Sequence, residues 1–227
     1  MILISNKAKK EVLNFLDNNN IEYVLSINNP KLNNNISDHP DLSVFVVDNK
    51  NIIVSENVFE YYKYKFRNKN IKIIKGELPS CKYPYDSIYN VVKFKNFLIH
   101  GKIIEKNIFN LCKDHENIIV KQGYTRCSVI PLKNTILTSD YGIYKKINKK
   151  INTILLPIEE IKIDGYENGF IGGTCGFVDD NTFFFTGDIT NLKSYDIIRK
   201  TAEKEKIKII YPKTEITDLG SILKIGD

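Results

Sequence analysis

The chain has 227 residues, 42% of them apolar and 26% charged, with a net charge of +6 and four cysteines. This balance excludes a disordered or collagen-like chain, and no apolar run approaches the ~20 residues that span a bilayer. The N-terminus, Met1-Ile2-Leu3-Ile4-Ser5, passes at once into lysine-rich sequence instead of a signal-peptide core, so a soluble cytoplasmic protein is expected.

The positive charge comes almost wholly from lysine, with arginine only at Arg67, Arg126 and Arg199. Lysines spread over every predicted helix read as solvated faces and not as a nucleic-acid or membrane patch. Cys81, Cys112, Cys127 and Cys175 lack metal-ligand spacing, and without a secretory signal they are expected to be free thiols. No cofactor or metal is expected.

In chain order, an apolar run at 2–5 leads into an amphipathic helix at 7–16 and a strand at 21–27. The same order then recurs four times, each time preceded by an opening strand. Openers at 43–47, 90–94, 128–132 and 176–178 are followed by apolar runs at 52–55, 97–100, 136–139 and 183–186. Helices follow at 58–67, 104–112, 142–149 and 192–204, and closing strands at 71–74, 118–121, 154–158 and 207–211. The first unit lacks an opener, while the chain ends in an orphan strand at 221–225 spelled like the others.

Unit starts at 2, 52, 97, 136 and 183 repeat every 39 to 50 residues, and the step from 183 through the chain end back to residue 2 is 46. The last strand can therefore open the first unit and leave no free edge. This predicts an α/β fold, a five-bladed α/β propeller of strand-strand-helix-strand units closed by its terminal strands, with residues 1–227 as a single domain. An open α/β sheet accounts for the alternation but not for the orphan strand.

A closed ring has one unique place, its axis, where the residues before each opener converge and where a ligand site is expected. Those segments are Asp38-His39-Pro40-Asp41-Leu42, Asp86-Ser87-Ile88-Tyr89, Gly123-Tyr124-Thr125-Arg126-Cys127, Gly172-Gly173-Thr174-Cys175 and Thr217-Asp218-Leu219-Gly220. Five units with paired termini, a His-x-Asp before one opener and a Gly-x-x-Arg-Cys before another resemble the guanidino-group-modifying, or pentein, superfamily of arginine deiminase, agmatine deiminase and amidinotransferases.

The resemblance implies a small guanidine-like substrate, attacked by a cysteine while a histidine shuttles protons and carboxylates grip the guanidinium. By that likeness Cys127 and His39 take the catalytic places, Asp41 and Asp218 bind substrate, and Arg126 assists binding. Arg126 and His39 would also supply positive charge that makes Cys127 the most reactive thiol, unless Arg126 points away, as adjacent residues of a strand face opposite sides. Cys127 precedes a buried strand, which fits a packing role as well as catalysis, and Cys175 is a rival nucleophile whose two preceding glycines also read as a tight bend.

The chain departs from the family pattern in three ways. Cys127 lies in mid-chain instead of near the C-terminus, Gly172-Gly173-Thr174 carries no carboxylate, and Thr217-Asp218-Leu219-Gly220 replaces a Glu-Gly-Gly-Asp signature. The missing acid implies a substrate with less charge than arginine. Two functions follow: a cysteine-dependent hydrolase or transferase working through a covalent thiouronium, or a non-catalytic pentein-fold binding scaffold. Elsewhere, Asp140 and Asp188 read as helix N-caps.

Overall fold

Continuous apolar runs such as Ile-Leu-Ile and Phe-Phe-Phe suit strands covered on both faces, and the computed structural model, which describes residues 1–226, uses each as the middle strand of a three-stranded sheet. Unit one comprises β1 (Ile2–Ile4), α1 (Lys10–Asn18) and β2 (Tyr23–Leu25); unit two comprises β3 (Val44–Asp48), β4 (Asn51–Ser55), α2 (Phe59–Lys65) and β5 (Lys72–Gly76). Unit three runs β6 (Val92–Phe94), β7 (Phe97–His100), α3 (Lys106–Leu111) and β8 (Glu116–Ile119). Unit four runs β9 (Val129–Pro131), β10 (Ile136–Thr138), α4 (Tyr141–Ile147) and β11 (Thr153–Leu155). Unit five runs β12 (Cys175–Phe177), β13 (Thr182–Phe185), α5 (Tyr195–Lys204) and β14 (Lys208–Ile210), and β15 (Leu223–Lys224) follows.

In every unit the middle strand is antiparallel to its opener and parallel to the strand after the helix. The predicted closure is present: β15 pairs antiparallel with β1, Ile2 opposite Lys224 and Leu3 opposite Leu223. The architecture is thus the five-bladed α/β propeller.

Side chains of a strand alternate between its two faces, and here that alternation builds the ring. Ile2 and Ile4 pack with Phe184 of unit five, whereas Leu3 packs with Val44 and Ile52 of unit two. Ile53 joins Leu98, Ile99 joins Ile136, and Leu137 joins Phe183 and Phe185. Five apolar clusters therefore bridge five neighbouring pairs of units. Among the described residues no helix is long and apolar enough to cross a membrane.

Asp140 caps α4 as expected, accepting from Ile143 N at 2.8 Å. Asp188 does not cap α5: its carboxylate accepts from the Thr190 backbone and hydroxyl in a local turn, and Glu159 takes the backbone N–H of Ser194 at 2.6 Å instead. A short side chain bonds its own turn in preference to a helix several residues away.

Candidate functional site

The segments before the openers meet at the ring axis, and hydrogen bonds lace them into a circuit. Asn90 Oδ1 accepts from the backbone N–H groups of Arg126 (2.6 Å) and Cys127 (3.2 Å). Gly173 O accepts from Leu219 N (3.0 Å) and Ser221 N (2.9 Å), and Ser221 Oγ donates to Asp41 Oδ2 at 2.6 Å. Two glycines permit this crowding. A Cβ on Gly173 would lie 2.0 Å from Asp218 Oδ1, and Gly220, at φ +74°, passes so close to His39 that a Cβ there would lie 2.2 Å from the histidine Cβ.

Pro40 starts a single helical turn over Pro40–Leu42, and His39, just before it, and Asp41, within it, border different cavities. His39, Cys127 and Asp218 line one cavity of about 80 Å³, walled mainly by Tyr124, Tyr166 and Phe170. Asp218 is fixed by two backbone donors, Phe170 N at 2.8 Å and Gly220 N at 3.0 Å. The His39 ring lines the cavity and has no hydrogen-bond partner among the described residues.

Asp41 was expected to grip the substrate, but it does not line this cavity. It lies behind the nucleophile: the Cys127 thiol donates to Asp41 Oδ2 at 3.0 Å, while Asn90 Nδ2 donates to the sulfur at 3.2 Å. Asp41 instead borders a second cavity of about 130 Å³ among the opening strands, which it shares with Arg126. Arg126 also departs from its predicted role. Its guanidinium donates to three backbone carbonyls, Val129, Gly172 and Cys175, each at 3.3 Å, and ties unit four to unit five. Neighbouring residues on an extended segment face opposite sides, so Cys127 facing the cavity turns Arg126 away from it.

Cys175, the rival nucleophile, is fully buried in the apolar cluster between units four and five, its sulfur near the carbonyls of Ile171 and Gly172. His100 is held by Gly101 O at 2.7 Å and Asn117 Oδ1 at 3.2 Å, apart from the site. Asn90, Ser221, Phe170 and Tyr166 carried no motif that marked them. For Asn90, Ser221 and Phe170 the position within two residues of an opener segment is the one available signal, and Tyr166 has none.

Electrostatics overturn the expectation of a low thiol pKa. Burial pushes the Cys127 thiol well above the usual cysteine range, and the charges of Asp41 and Asp218 push it further; Asn90 pulls the other way. Burial also raises both carboxyls, against the moderating charge of His39. In the free protein Cys127 therefore sits as a thiol bonded to a carboxylate. Because a raised pKa keeps the proton on as pH rises, iodoacetamide at pH 7 should label the exposed Cys81 first and Cys127 hardly at all. Labelling of Cys127 should grow only as the pH passes well above ~9. Peptide mass spectrometry after timed alkylation checks this, and early labelling of Cys127 at neutral pH would refute the assignment.

Solved structures with this arrangement of strands include three guanidino-modifying enzymes. SxtG, an amidinotransferase from Microseira wollei in the saxitoxin biosynthetic pathway, is 11% identical, with 93% of this chain and 88% of that one aligned at a TM-score of 0.54. Agmatine deiminase from C. jejuni is 13% identical over 88% of this chain and 72% of its own, at 0.53. ArgZ, an arginine dihydrolase from the ornithine-ammonia cycle in cyanobacteria, is 14% identical over 93% of this chain but only 36% of its own length, at 0.54. No curated protein matches the sequence. The fold is therefore the pentein fold, and since the family model covers residues 3–223, the chain belongs to the family of unknown function DUF6873.

Proposed function

We propose that this protein is a cysteine-dependent enzyme that hydrolyses or transfers the amidino group of a guanidine-like compound. One observation supports the reading above others: a thiol, an imidazole and a carboxylate, Cys127, His39 and Asp218, face one small cavity with aromatic walls. A planar cation entering there would meet the Asp218 carboxylate through charge-assisted hydrogen bonds. Its charge would also offset the negative field that holds the thiol protonated, so that substrate binding itself activates the nucleophile.

The chemistry then proceeds in two halves. Cys127 Sγ attacks the guanidinium carbon, its proton passing to Asp41, while the C=N electron pair moves onto nitrogen. His39 gives a proton to the departing nitrogen, the C–N bond breaks with its pair on the amine, and a thiouronium remains on Cys127. His39, now neutral, takes a proton from water as it adds to the same carbon. Cleavage of the C–S bond forms the carbonyl of the ureido product, whose hydroxyl proton passes to the released amine or to solvent, and the sulfur recovers its proton from Asp41. An amine in place of water gives amidino transfer.

The test is incubation with a panel of guanidines, including methylguanidine, agmatine and arginine, read as released ammonia or amine, ureido product and mass adducts on Cys127. Product with a transient Cys127 adduct is expected. The scaffold reading wins if ligands bind but neither product nor adduct forms with any member of the panel.

A further inference from the structure

The immediate surroundings of the cavity are short of cations. Among the described residues no lysine or arginine side chain lines it. Lys7 reaches the neighbouring segments, yet its ammonium is held by Asp38 at 3.1 Å and Asp164 at 3.2 Å, and it also donates to the carbonyls of Asn34 and Asn35. Lys162 pairs with Glu215 at 2.8 Å, and Arg126 is spent on three carbonyls behind the site.

Neutral donors are equally scarce. Asn168 is the one amide on the wall, and both its ends are used, accepting from Ile161 N at 2.6 Å and donating to Glu159 O at 3.0 Å. The Tyr124 hydroxyl donates to Asp86 Oδ2 at 2.5 Å. Asp86 itself is buried, and its other oxygen has no hydrogen-bond partner, so a third carboxylate backs the cavity wall alongside Asp218 and Asp41. Ile36, Leu42 and Ile163 make up much of what remains.

Building on the proposed guanidine chemistry, we infer that the site takes guanidines or amidines whose substituent is apolar or cationic and excludes those that bear a carboxylate. A carboxylate on the substrate would be drawn out of water beside three aspartates with no lysine or arginine to receive it; among the described lining residues the imidazole of His39 is committed to the amidino group, which leaves the Tyr166 hydroxyl at the rim as the remaining side-chain donor. A second positive charge or a short alkyl group meets carboxylates and aromatic faces that accept both.

Two pairs of compounds that differ by only a carboxylate test this: methylguanidine against guanidinoacetate, and agmatine against arginine. An unpaired buried anion predicts a kcat/KM at least about 100-fold higher for the carboxylate-free member of each pair. Calorimetric binding to Cys127→Ser should show the same order. Tyr166→Arg, placing a cation at a half-exposed position on the cavity rim, should narrow the gap between arginine and agmatine by about tenfold, the scale of one charge-assisted contact. Equal or better use of the carboxylated members overturns the inference while leaving the enzyme reading intact. Selective binding without turnover keeps the ligand class and removes catalysis, and absence of both binding and turnover removes the two together.

Discussion

Cys127→Ser is expected to lower turnover of any accepted guanidine by at least about 10³-fold with little change in melting temperature, because a hydroxyl is a far poorer nucleophile near neutral pH. The substitution is conservative in packing. Serine can donate to Asp41 Oδ2 as the thiol does, and Cys127 is only 3% exposed. Asp41→Asn is a sharper companion. Its amide oxygen can still accept from Cys127 and Ser221, yet it cannot take the thiol proton, so a loss of about 10²–10⁴-fold in kcat is expected, the range for removing a positioned proton acceptor. Initial rates of ammonia or amine release, with thermal melts alongside, give both numbers. Turnover that survives in Cys127→Ser would end the covalent mechanism.

The second large effect is on stability. Deleting residues from Ser221 onward removes β15, strips the outer partner from Ile2 and Leu3, and takes away Ile222 and Ile225, which are 2% and 1% exposed. Burial of one such side chain is worth ~1.5–3 kcal/mol, so the two isoleucines alone account for roughly 3–6 kcal/mol. Against a total stability of about 5–15 kcal/mol, a fall of roughly 10–20 °C in Tm, or outright unfolding, is expected. Circular dichroism melts decide it. The contrasting change, Lys224→Ala, removes only an ion pair with the exposed Asp180 and should move stability by less than ~1 kcal/mol. An unaltered melt in the truncated chain would mean that the ring does not depend on its seam.

The architecture was legible because middle strands are apolar on both faces and recur at a steady interval, a pattern that depends on the sequence alone. Their predicted bounds agree with the structure to within about a residue, as at Phe97–His100 and Asn51–Ser55. Two openers start two residues later than their pattern suggests, β6 at Val92 and not residue 90, and β15 at Leu223 and not 221, whereas β12 starts one residue earlier, at Cys175. Both displaced residues, Asn90 and Ser221, turn inward to bond across units, Ser221 with φ at +61°. Polar residues at the head of a strand pattern were thus structural members of the centre. Helix α1 starts at Lys10 instead of residue 7 for a similar reason, since Lys7 is used to bind Asp38 and two loop carbonyls.

Parts of the site were hidden because they rest on distances between units. The meeting of His39, Cys127 and Asp218 followed from the ring, but the direction of the thiol shift did not. Arg126 adjoins Cys127 in sequence and faces away, while Asp41, 86 residues distant in the chain, touches the sulfur. Sequence proximity suggested a positive neighbour, and folding supplied a negative one. The same reversal moved Asp41 from the expected place of a substrate ligand to that of a proton acceptor behind the nucleophile.

The pairing of β1 with β15 also bears on where a chain of this shape can be cut. With the first and last described strands adjacent in one sheet, a short linker could join them, and new ends could open at another exposed turn, such as the tight reversal between Asp48 and Asn51. Such a cyclic permutant would keep every strand pair but the one around the new break, and would leave His39, Cys127 and Asp218 in the same spatial relation. The order in which these three residues occur along the chain is then a matter of where the circle is severed, so that chemistry on this scaffold is indexed by angle around the ring and not by position in the sequence.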